Sequence, residues 1–120
     1  MKSVFIYAID ESSKKALFDI YGNNCGLFWN SLHLKNVKTW DYNQDTFTFS
    51  ASFNTGGRIT IKPKSVNTPS GLAAGIVFDF SQVKNNEMDN DLEVAGRIRS
   101  VIQQKISQYP TVKISTGFLD

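Results

Sequence analysis

The run from Thr46 to Lys62 constrains this chain more than any other segment. Thr-Phe-Thr-Phe-Ser-Ala-Ser-Phe is followed by Asn-Thr-Gly-Gly and then by Arg-Ile-Thr-Ile-Lys. Phe47, Phe49, Ala51 and Phe53 alternate with Thr46, Thr48, Ser50 and Ser52. A period of two places the two sets on opposite faces of a strand. Asn54 to Gly57 has hairpin-loop chemistry. The alternation then resumes with Ile59 and Ile61 inward and Arg58, Thr60 and Lys62 outward. The pattern predicts an antiparallel sheet that is wet on one side, with a Phe/Ile face that another layer must cover.

The rest of the chain supplies that layer. Lys2 to Ile9 is apolar at successive positions, which predicts an interior strand covered on both faces. Asp10, Ser12 and Ser13 are N-cap types, and Ala16, Leu17, Ile20 and Tyr21 follow at helical spacing. Gly22 is the expected stop, and Leu27 to Leu34 reads as a short helical turn. Asn36 to Tyr42 predicts a strand in which Val37 alternates imperfectly with Trp40 and Tyr42. Asn43-Gln44-Asp45 is a turn. Pro63 to Gly71, punctuated by Pro63 and Pro69, predicts the longest loop. Gly75 to Phe80 predicts a strand with Ile76, Phe78 and Phe80 on one face.

A long helix is expected to start after Asn90, which with Glu93 resembles a capping box. Its stripe is Ala95, Ile98, Ile102, Ile106 and Tyr109, joined by Leu92 and Val101. Glu93 and Arg97 stand four apart on the wet face. Pro110 ends the helix, and Val112 and Ile114 begin a last short strand. The order is β-α-β-β-β-β-α-β. It predicts an α+β fold in one domain spanning residues 1–120: a mainly antiparallel sheet with a short N-terminal helix and a long C-terminal helix packed on one face.

Composition narrows the function classes. A chain of 120 residues buries roughly two-thirds of its unfolded surface and needs no disulfide or metal to hold it. The net charge is +2 with a pI near 8.7, less basic than duplex DNA binders, whose excess is larger and clustered. It also argues against an acidic mimic of nucleic acid. Cys25 is the single cysteine, which fits a reducing compartment. The first residues lack the pattern of a signal peptide, and no apolar stretch approaches ~20 residues, so no membrane partner is expected. The expected location is the cytoplasm.

Few residue types here carry chemistry. Cys25 and His33 are the one thiol and the one imidazole. A Cys-His pair performs nucleophilic catalysis only if the two meet in space with an orienting group. A small buried hydrophobe and a surface imidazole is the weightier reading. Glu87, Asp89, Asp91 and Glu93 alternate, but lack the glycine and closing glutamate of a calcium loop. They suit the dipole at a helix start. No phosphate loop, dinucleotide fingerprint or metal-ligand spacing is present, so neither cofactor nor metal is expected.

Three surfaces remain as binding candidates, of which the Pro63 to Gly71 loop is one, as a docking surface for a protein partner. Trp40 and Tyr42 with Arg58 are residue types that anchor protein interfaces, presented beside the flat Thr/Ser face. Arg58, Lys62 and Lys64 form a basic row that, beside exposed aromatics, suits a nucleotide or single-stranded RNA. Charges that guard a strand edge are the plainer account of that row. Size, mixed topology and lack of catalytic groups fit the type of small bacterial or phage protein that blocks another macromolecule, as inhibitors and immunity proteins do. The leading expectation is therefore a non-enzymatic protein-binding module. A nucleotide or RNA binder comes next, and an enzyme built on Cys25 and His33 last. A second copy of the chain is a further candidate partner.

Overall fold

Eight elements succeed one another: β1 (Ser3–Ala8), α1 (Glu11–Ser31), β2 (Val37–Asn43), β3 (Thr48–Phe53), β4 (Arg58–Thr68), β5 (Gly71–Asp79), α2 (Asp91–Ile106) and β6 (Ser115–Leu119). They come from a computed structural model that describes residues 2–119. The strands form one antiparallel sheet in the order β2-β3-β4-β5-β1-β6. The fold is α+β with the predicted element order. Four strands run as a meander, and β1 inserts between β5 and β6.

Alternation decides the two faces. Val4, Ile6, Phe49, Ala51, Phe53, Ile59, Ile61, Ile76 and Phe78 point to one side and are buried. Both helices cover that side. Leu17, Ile20, Tyr21 and Phe28 descend from α1, and Val94, Ala95, Ile98 and Ile102 from α2. Each fully buried Val, Leu, Ile or Phe among them contributes ~1.5–3 kcal/mol relative to exposure. Among the described residues no helix lies on the other face. There Phe5, Ala73 and Val77 form a small second cluster, flanked by Tyr7, Val66 and Leu119. Phe5 on one side of β1 and Val4 and Ile6 on the other account for the unbroken apolar run of that strand.

Helix lengths differ from expectation. α1 has 21 residues and α2 has 16. Gly22 does not stop α1. The helix continues through the segment expected as a separate turn, with a kink at Asn24, whose φ is −133° and whose side chain donates to the Ile20 carbonyl at 2.8 Å. Gly22 serves the packing instead, because the Phe47 ring lies against it. α2 ends at Ile106, short of Tyr109. Leu92 is 62% exposed, and Val94 takes its place in the core. Asn90 caps α2 by accepting the Leu92 N–H at 2.9 Å. The last strand begins at Ser115, beyond Val112 and Ile114.

The expected loop from Pro63 to Gly71 is strand through Thr68 and closes as a hairpin onto β5, with Pro63 opposite Ile76 and Thr68 opposite Gly71. The β3 ladder stops at the Phe49–Ile61 pair. Beyond it β4 has an open edge, where a residue without an N–H is tolerated. Thr46 and Phe47 lie outside β3, and Phe47 takes a left-handed φ of 54°. Its ring still reaches the core beside Phe18 and Tyr21, at centroid distances of 5.6 and 6.3 Å. No helix among the described residues is long and apolar enough to cross a membrane.

Candidate functional site

The Asn43–Phe47 turn sets the register between β2 and β3. Asn43 accepts the N–H groups of Asp45 and Thr46 at 3.0 and 3.2 Å. Trp40 then stands opposite Ala51, and Tyr42 opposite Phe49. Directly paired residues share a face, so Trp40 and Tyr42 lie on the helix side of the sheet and not with the Thr/Ser row. A bulge between Val37 and Thr39 explains the imperfect alternation of this strand.

Trp29 from α1 meets both. Its ring stacks on Phe49 at 4.6 Å, meets Tyr42 edge-on at 4.8 Å and lies 6.1 Å from Trp40. Its indole N–H donates to the Tyr21 hydroxyl at 3.4 Å. Trp40 is the outer member of the group and is 65% exposed. It sits on β2, which ends the sheet and whose second edge is unpaired among the described residues. Leu27 and Val37 are further exposed apolar side chains of α1 and β2. The one sequence signal for Trp29 is its spacing of eight from Tyr21, which places both near one helix face.

Tyr42 also borders Cys25. Burial, and then the neighbouring thiol, pushes the Tyr42 hydroxyl above its ordinary value, so it stays a neutral donor. Burial likewise raises Tyr21. His33 lies past the end of α1, with Nδ1 3.9 Å from Asp89. Cys25 and His33 therefore face different neighbours.

Arg58, Thr60 and Lys62 share the open face, opposite Ile59 and Ile61 as the alternation requires. Lys64 continues the row because β4 continues. Lys62 and Lys64, with Lys2 and the carboxylate of Asp79, border a cavity of about 260 Å³ also lined by Val77 and Leu119. Arg58 borders a smaller cavity with Asp79. Tyr7 stands on this face, stacked on Phe5 at 4.9 Å. The basic row and the tryptophan edge are thus on opposite faces and cannot act as one site.

The acidic segment before α2 is a structural clasp. Glu87 is fully buried. It accepts the Thr55 hydroxyl, the Gly57 N–H at 2.9 Å and the Lys84 N–H at 2.8 Å. A β-carbon at Gly57 would overlap its carboxylate. Burial pushes the Glu87 carboxyl up, but these hydrogen bonds and the Lys84 charge outweigh it and hold the acid below its usual range. Asp89 accepts from Lys35 at 2.8 Å and from Arg97 at 3.1 Å, and Arg97 also donates to the Ser31 carbonyl at 2.7 Å. Arg97 thus joins α2 to the end of α1 instead of pairing along its own helix with Glu93.

No protein-family model, curated protein or solved structure matches this chain.

Proposed function

We propose that the protein is a non-enzymatic binding module that docks a protein partner on the edge formed by Trp40, Trp29 and Tyr42. One observation carries this reading: Trp40 is 65% exposed while resting against Trp29, a half-buried ring itself stacked on the buried Phe49, at an open sheet edge. An indole held by rigid neighbours loses little entropy on binding, and tryptophan and tyrosine dominate interface energetics. The unpaired edge of β2 adds backbone donors and acceptors for an extended partner segment. Such a module, acting in the cytoplasm, suits an inhibitor or immunity-type role in which occupancy alone blocks the partner.

A second reading places a nucleotide or single-stranded RNA on the open face. Lys2, Lys62 and Lys64 around one cavity, with Tyr7 on the same face, favour it. Arg58 would extend the row. Trp40 and Tyr42 have no part in it.

The test compares two variants against the partner captured from the native host. Trp40→Ala is expected to weaken binding at least tenfold with little salt dependence. Lys62→Ala with Lys64→Ala is expected to leave it nearly unchanged. The reverse ranking, with affinity falling steeply as salt rises, replaces the first reading with the second.

A further inference from the structure

Beyond the tryptophan edge, between α1 and the β2–β3 turn, lies an open groove of about 330 Å³. Phe18, Tyr42 and Phe47 wall it, Gly22 leaves it open, and Asp19 and Asp45 stand at its rim. Tyr42 belongs to both places, since it also meets Trp29. The pocket is continuous with the proposed docking edge.

Two kinds of group converge here. The rings of Phe18, Tyr42 and Phe47 line it, and so do the two carboxylates, with the amides of Asn23 and Gln44 beside them. Among the described residues Asp45 has no ion-pair partner. Asp19 is engaged by Lys15, a solvent-exposed pair at 3.5 Å that is worth little and is easily exchanged. Lysine and arginine side chains of this protein do not line the cavity. An anion would meet two like charges, and an apolar group would leave both carboxylates unanswered. A planar cation answers both features: guanidinium stacks on aromatic faces and forms paired hydrogen bonds with carboxylates.

Resting on the protein-binding reading of this edge, we propose that the pocket receives an arginine side chain of the partner. Trp40 then supplies the apolar anchor, and the Asp19–Asp45 rim selects a partner with a positive charge beside it. Gly22 is required because a β-carbon there would stand 3.0 Å from the Phe47 ring and crowd the mouth. The basic row cannot compete for the same ligand group, since it lies on the other face and has the wrong sign.

The full-length chain, labelled with ¹⁵N, is titrated with N-acetyl-argininamide and with N-acetyl-citrullinamide, which has the same shape without the charge. Saturable amide shifts at Gly22, Asn23, Asp45 and Phe47 are expected with the arginine probe only. They should weaken at least tenfold in Asp19→Asn with Asp45→Asn, a surface pair whose loss leaves the melting curve unchanged. Equal shifts with the citrulline probe, no shifts at these amides, or shifts that persist in the double variant overturn the arginine pocket. The partner itself separates this proposal from the one beneath it. If Trp40→Ala loses the partner while the double asparagine variant binds it normally, the docking edge stands and the pocket assignment fails. If the double variant loses at least tenfold in partner affinity, the pocket assignment holds.

Discussion

Gly22, in the middle of α1, lies against Phe47, a residue 25 positions later in a turn; a β-carbon on Gly22 would stand 3.0 Å from the Phe47 ring. The ring is hemmed in by Phe18 and Tyr21. Two opposing effects meet at this position. Alanine is favoured over glycine in a helix interior by ~1 kcal/mol, whereas overpacking costs ~1–3 kcal/mol. Gly22→Ala should therefore destabilise by about 1 kcal/mol by urea unfolding. In a Phe47→Ala background the crowding is gone, and the same substitution should stabilise by up to ~1 kcal/mol. The same sign in both backgrounds would show that the ring does not set the identity of residue 22.

Phe49 is 4% exposed and carries Trp29 on its face at 4.6 Å. Phe49→Ala should cost ~3–5 kcal/mol, the range for a buried phenylalanine truncation. It should also loosen the stack under Trp40, visible as a red shift of tryptophan emission in the folded state. A cost within ~0.5 kcal/mol, ordinary for a surface change, is incompatible with the β2–β3 register described above.

Acid stability follows from three carboxylates. Asp10 caps α1, accepting the Ser13 N–H and the Ser12 hydroxyl, each at 2.8 Å. Those bonds, the Ser13 N–H foremost, hold its carboxyl down from 3.8 to about 2. Asp89 is lowered chiefly by the Lys35 hydrogen bond, and Glu87 is lowered despite its burial. All three are depressed in the folded state. Their contribution is therefore complete above the ordinary carboxylate range and is lost as pH falls through the depressed folded values. For Asp10 that window runs from 3.8 to about 2. Melting temperature should be level near neutrality and fall on acidification across this window. Asp10→Asn keeps a capping oxygen, so it should melt near wild type at neutral pH and decline less steeply in acid. A melting temperature that is flat to pH ~2 contradicts the assigned hydrogen bonds.

Local pattern carried much of the fold. Phe49, Ala51 and Phe53 against Thr48, Ser50 and Ser52 announced a strand and its buried face, and Asn90 announced the start of α2. What escaped the sequence depends on partners distant in the chain. Pro63, Ser65 and Asn67 look like loop residues, yet β5 pairs with them and an open edge excuses the proline. Gly22 looks like a helix stop because its reason, Phe47, is a tertiary contact. The candidate site was legible only in part. Trp40 and Tyr42 stand out by type, but their face is fixed by the Asn43 turn and by the bulge after Val37. Without that register they could not be separated from Arg58 and Lys62 or joined to Trp29.

The central claim is that a protein partner docks on the Trp40 edge. Amide hydrogen exchange of the full chain, alone and saturated with the purified partner, tests it most directly. The account predicts new protection in β2, Val37–Asn43, and over the second half of α1 from Cys25 to Ser31, with β4 unchanged and the pattern the same at low and high salt. Protection confined to β4 and β1 on the open face, and lost as salt rises, would contradict it.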